Sequence, residues 1–262
     1  MIGALLRRQW RLHRAALAWL ALGMLVFEFL ITKLSPAVGR MQGLLDLLPP
    51  VIQEVFGAEL RATLSPSGFL AFGWVHPFAL LMLGVWVVRV AAGSLAGEIG
   101  RGTMDLVASR PVTRAAVVAA AALMLFAGLA LLCLSGWSGI ALGLAQRPLG
   151  GARAADLVGV VVSCWLLFAA AGGLALAVSA LRRDGGSAIA IASGLLAASF
   201  AFDFVARTWQ PLVWARPLSL FSYYAPQRIV ALGMAAGDVL ALAVVIVASL
   251  ALAFVAFQWR DL

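Results

Sequence analysis

Apolar residues run along this chain in six long blocks separated by shorter polar stretches. The blocks cover approximately residues 15–34, 74–96, 115–143, 156–181, 187–206 and 238–257. Each is close to the roughly 20 residues a helix needs to cross a hydrocarbon core about 30 Å thick. The blocks do not alternate apolar and polar positions in segments of about ten, as the strands of a membrane barrel do. The pattern predicts an all-α integral membrane protein with six transmembrane helices in a single domain spanning residues 1–262. The third block is long enough to tilt or to project past the lipid.

Outside the blocks, two periodic stretches predict further helices. In residues 2–14, Arg7, Arg11 and Arg14 share one helical face and Ile2, Leu6 and Trp10 lie roughly opposite. This spacing predicts an amphipathic helix lying in the headgroup layer and feeding into the first span. In the loop 35–73, Leu44, Leu48, Val51, Ile52 and Val55 recur at helical spacing around Pro49-Pro50. A proline suits the first turn of a helix, so two short outer-surface helices are expected there. The stretch 207–237 carries Trp209, Trp214, Tyr223 and Tyr224, residues suited to an interfacial belt.

Composition agrees with the pattern. The chain is 64% hydrophobic and 11% charged, and its net charge of +8 comes almost wholly from arginine. Such a charge on a soluble protein would suggest nucleic acid. Here it fits loops on the cytoplasmic side and anionic lipid headgroups instead. Placing both termini in the cytoplasm gathers Arg7, Arg8, Arg11, Arg14, Arg101, Arg110, Arg114, Arg182, Arg183 and Arg260 on that side, with Arg89 toward it. The run from Ala15 to Ile31 exceeds the apolar core of a signal peptide and is read as a span. Cys133 and Cys164 both fall inside apolar blocks, which favours buried free thiols over a disulfide or a metal site.

The stretch 97–114, GEIGRGTMDLVASRPVTR, interrupts the apolar text between the second and third blocks. Gly97, Gly100 and Gly102 give a flexible exit from the second span. Thr103 can cap a short helix, with Asp105 near its positive end and Arg110 near its negative end. Pro111 ends it, because the residue before a proline is pushed out of the α region. Met104, Leu106 and Val107 then stand as apolar knobs among charges, the composition of a docking surface.

Glu98, Arg101-Gly102-Thr103, Leu106, Ser109-Arg110-Pro111 and Arg114 resemble the cytoplasmic signature of the type-two ATP-binding-cassette (ABC) export permeases. The six spans, the N-terminal amphipathic helix and the terminal QWRDL are similar to that family as well. Alanines stand at 121 and 122, where the family commonly has a lysine, so no role is carried over for that lysine. The resemblance implies a permease subunit, with 97–114 as a coupling helix seated in a groove of a separate ATPase subunit. It implies Glu98, Arg101, Gly102, Thr103, Met104, Asp105, Leu106, Val107, Arg110, Pro111 and Arg114 as coupling residues. Arg182, Arg183 and Asp184 in the second loop form a shorter candidate contact. It also implies a second copy of this permease or a related one, and ATP and Mg bound by the partner ATPase, with no cofactor in this chain. A phosphate-binding loop needs GxxxxGK[ST], and the sole lysine, Lys33, has no such context.

Two other readings compete. A secondary transporter or channel would draw on the intramembrane charges Glu28, Arg89 and Asp203 as pathway or interface residues. No inverted repeat or cluster of facing carboxylates supports it. A rhomboid-like serine protease would use the GWSG at 136–139, with Ser138 and His76 as a dyad. Its histidine would have to follow the serine, and none does. Gly139 and Gly143 read more simply as a helix contact of the GxxxG kind.

Overall fold

A computed structural model describes the backbone of residues 2–45, 65–104 and 112–260, and the side chains of all of these except 35–45. The helices are α1 (Ile2–Leu45), α2 (Pro66–Gly73), α3 (Pro77–Ser94), α4 (Ala96–Gly100), α5 (Arg114–Gln146), α6 (Val158–Leu181), α7 (Gly185–Thr208), α8 (Pro226–Leu232) and α9 (Ala236–Gln258). Short 3-10 turns at Ala154–Leu157, Gln210–Leu218 and Leu220–Tyr223 join them, and no strand occurs among the described residues. Among the described residues, six helical stretches are long and apolar enough to cross a membrane, and each overlaps one predicted block.

Local chemistry sets the helix starts. Thr113 caps α5 by accepting from the Ala116 N–H, and Asp184 caps α7 by accepting from the Ser187 N–H. The second span is broken near one end. Pro77 holds His76 in an extended conformation, so α2 stops at Gly73 and α3 starts at Pro77.

The first helix differs from expectation. Residues 2–14 are not a separate helix; they are the start of the continuous α1. Arg7, Arg11 and Arg14 are exposed as the spacing predicts, but Ile2 and Trp10 are exposed too. The buried stripe is instead Gln9, His13, Leu17, Met24 and Glu28. Contacts of Gln9 with Ser94 and of His13 with Trp86 hold this part of α1 against α3. The Pro49-Pro50 helix pair lies outside the described residues. Short helical pieces do occur between the sixth span and the fifth, at 210–232.

Helices α3, α5 and α6 form the centre. α3 with α2 and α5 bury 61% of their most apolar window inside the chain, against 17% for α7 and α9. Glycines permit the closest approaches. Trp86 lies over Gly128 and donates its indole N–H to the Leu125 carbonyl at 3.0 Å. On α5, Gly136 faces Met24 and Trp74, Gly139 faces the Leu25 carbonyl, and Gly143 faces Thr32. This is the small-residue seam expected at Gly139 and Gly143, and it fastens α1 to α5.

Candidate functional site

The polar segments at the end of the bundle that carries both termini converge on one platform. Its centre is Glu98, 2% exposed, on the short helix α4. The carboxylate accepts from Arg8 of α1 at 2.5 Å, from the Thr103 hydroxyl at 2.5 Å and from Arg101 at 3.3 Å. Gly102 makes the turn that brings Thr103 back: its φ of 68° lies in the left-handed region that glycine enters without strain. Burial pushes the Glu98 carboxyl up, but the bonds from Thr103 and Arg8 and the charges of Arg8 and Arg101 outweigh it. The net result is a carboxyl held below its ordinary range.

The second loop packs directly on this turn. A Cβ at Gly185 would stand 3.1 Å from Gly97 Cα, and one at Gly100 would stand 3.3 Å from Asp184 Cα. Backbone therefore meets backbone, and the two candidate contact loops form one surface. The Ala96 N–H donates to Ser179 Oγ of α6 at 3.0 Å. Arg114, at the start of α5, donates to the carbonyls of Gln258 and Arg260. Arg260 donates to the Ala180 carbonyl at 2.6 Å. Hydrogen bonds and close packing on this platform thus reach an end of every one of the six spans.

The sequence-selected residues divide into three groups here. Arg101, Gly102, Arg182, Arg183 and Asp184 are exposed on the platform, and Arg114 is half-buried. Glu98 and Met104 are buried, so neither has the exposure expected of a rim charge or a docking knob. Asp105, Leu106, Val107, Arg110 and Pro111 lie outside the described residues. Thr103 directly precedes the helical Met104, the position expected of a cap, and its hydroxyl also bonds Glu98. Arg8, Ser179 and Arg260 were not selected as site residues. The available signal was an acidic side chain beside a span end in a chain so rich in arginine.

The three intramembrane charges do not meet. Asp203 is buried on α7 and is held by Arg207 at 2.6 Å and Arg216 at 3.1 Å, which ties α7 to the turn at 210–218. Glu28 is fully buried against Gly73, with no hydrogen-bond partner on either oxygen among the described residues. Arg89 is exposed on α3. His76 and Ser138 form no dyad. His76 accepts from the Phe78 N–H, and Ser138 donates to the Leu134 carbonyl of its own helix.

Beside the platform, a groove of about 1020 Å³ runs between the start of α1, α3 and α7. It reaches from Pro77 and Phe221 at one end to Glu98 and Arg101 at the other.

A family model described as ABC-2 family transporter protein matches residues 13–262. No curated protein and no solved structure matches the chain.

Proposed function

The chain belongs to the ABC-2 transporter family and is a multi-pass membrane permease of an ABC transporter; from that premise we propose that it is the export subunit through which a separate ATPase moves the spans. The observation that carries the reading is the platform. Its Glu98 knot, its backbone contact with the second loop and its Arg114 and Arg260 clamps connect one polar surface to all six spans. A displacement of residues 97–104 would therefore move α1, α3 and α7 together. Export, rather than import, rests on the resemblance of the Glu98 to Arg114 pattern to export permeases. Both termini and the platform would face the cytoplasm, where the ATPase holds ATP and Mg.

An ATPase dimer offers two grooves and one bundle offers one platform, so two permease copies complete the transporter. The sparsely buried faces of α7 and α9 leave room for such a contact. Nucleotide-driven closure of the ATPases would bring the two platforms together and rock the bundles between inward- and outward-facing states.

Docking would rest on apolar side chains of the segment, with Arg101 and Arg183 at its rim. A buried apolar side chain is worth roughly 1.5–3 kcal/mol, and a rim charge about 0–1. Leu106→Asp is therefore expected to uncouple more severely than Arg101→Ala. Co-purification with the ATPase and measurement of permease-dependent ATP hydrolysis test this. Normal assembly and normal coupling in Leu106→Asp would remove the segment from the force path.

A further inference from the structure

We propose that the groove beside the platform binds a membrane lipid with an anionic headgroup. The headgroup sits at Arg8, Arg89 and Arg101, and one acyl chain lies along α3 and α7. The inference rests on the reading above only for its orientation, which puts the arginine end in the cytoplasmic leaflet, where anionic lipids are common.

Charge makes the first argument. Glu98 is the one acidic side chain on the groove wall among the described residues, and its oxygens are already engaged by Arg8, Thr103 and Arg101. Arg8 and Arg101 remain 38% and 58% exposed, so each keeps donors free of that bond. Arg89 has no carboxylate partner among the described residues. Three guanidinium groups thus line a wall with one carboxylate, which bonds two of them, and an oxyanion completes the balance. His13, on the same wall, has a buried Nδ1 with no hydrogen-bond partner in the described chain.

Shape makes the second. From Arg89 to Pro77 the groove follows α3 for twelve residues, about 18 Å at 1.5 Å per residue. Over this length the walls are apolar, with Leu81, Val85 and Val88 on α3 facing Ile189, Leu196 and Phe200 on α7. The volume of about 1020 Å³ reaches the top of the range of about 300–1,000 Å³ usual for small-molecule sites. A free phosphate would leave this apolar length unused. A second copy of the chain, docking here across a two-fold axis, would bring the same arginine-rich wall against its own image. An anionic lipid satisfies both ends at once.

The test is native mass spectrometry of the full-length permease, released from nanodiscs containing equal amounts of phosphatidylglycerol and phosphatidylcholine. Wild type is expected to retain phosphatidylglycerol about tenfold over phosphatidylcholine. Arg89→Gln, which removes no bond of the Glu98 knot, should cut that preference to about threefold or less. Ile189→Trp should fill the apolar wall and lower retention of both lipids. Millimolar inorganic phosphate should not displace the lipid. Equal retention of the two lipids by wild type overturns the proposal, and this arm needs no variant to fold. So does displacement by phosphate, which would indicate a simple anion site. If Ile189→Trp alters the oligomer mass and leaves lipid adducts unchanged, the groove is a contact between copies and the proposal fails. No arm uses the ATPase, so failed assembly with an ATPase would count against the transporter reading and leave the lipid result intact.

Discussion

Glu98 keeps its charge nearly out of reach of water because three donors from two helices and a turn converge on it. Hydrogen bonds to charged groups are worth about 1.5–3 kcal/mol. Arg8 and Arg101 are partly solvated, so the knot as a whole contributes about 1–2 kcal/mol. Glu98→Gln should lower the melting temperature at neutral pH accordingly. The pH dependence has a definite sign. The folded chain holds this carboxyl below its ordinary value, so the stabilisation is complete above the unfolded value of about 4.3. It is lost as pH falls through the lower folded value. Thermal melts of wild type and Glu98→Gln should therefore converge on acidification. A gap that persists unchanged below that range would mean that shape, not charge, holds the turn. Asp203 shows the same chemistry at the other end of the bundle, where two arginines close a surface turn onto α7.

At the scale of elements, the six apolar blocks were legible because length and hydropathy alone decide a span. The bounds of the last four moved by only a few residues, while the first two begin well before their predicted starts, and caps such as Thr113 and Asp184 account for where the later helices begin. The start of α1 was not legible. Its surface pattern of arginines matched an interfacial helix, but tertiary contacts of Gln9 and His13 decide where it packs, and periodicity carries no record of a partner. The break at residues 74–76 was available in Pro77 and was hidden by the apolar residues on either side. The seam between α1 and α5 supplies a matched pair of tests. A Cβ at Gly139 would collide with the Leu25 carbonyl, whereas Gly194 on α7 has nothing within 4 Å. Gly139→Ala should destabilise by about 1–3 kcal/mol, as overpacking does. Gly194→Ala should be neutral or stabilising by up to about 1 kcal/mol through helix propensity. Equal melting temperatures for the two variants would mean that α1 and α5 do not meet at this seam.

For the whole molecule, the candidate coupling residues were legible as a stretch of sequence, and their assembly was not. Nothing in the spacing of Arg8, Ser179 and Arg260 marks them as neighbours of residues 97–104; only the folded bundle does. The platform implies a sidedness. Arg182 lies at the platform, and Arg153 lies in the connection between α5 and α6 at the opposite end. In sealed inverted vesicles, a membrane-impermeant thiol reagent should label Arg182→Cys and spare Arg153→Cys. The reverse pattern would put the platform outside the cell and end its role as a site for a cytoplasmic ATPase. The most direct test of the central claim places a photo-crosslinking amino acid at Arg101, at Arg183 and, as a control at the opposite end, at the exposed Trp214. With the ATPase co-expressed, the first two positions are expected to yield permease–ATPase adducts and Trp214 none. Adducts absent from both platform positions, in a complex that still co-purifies, would contradict the account.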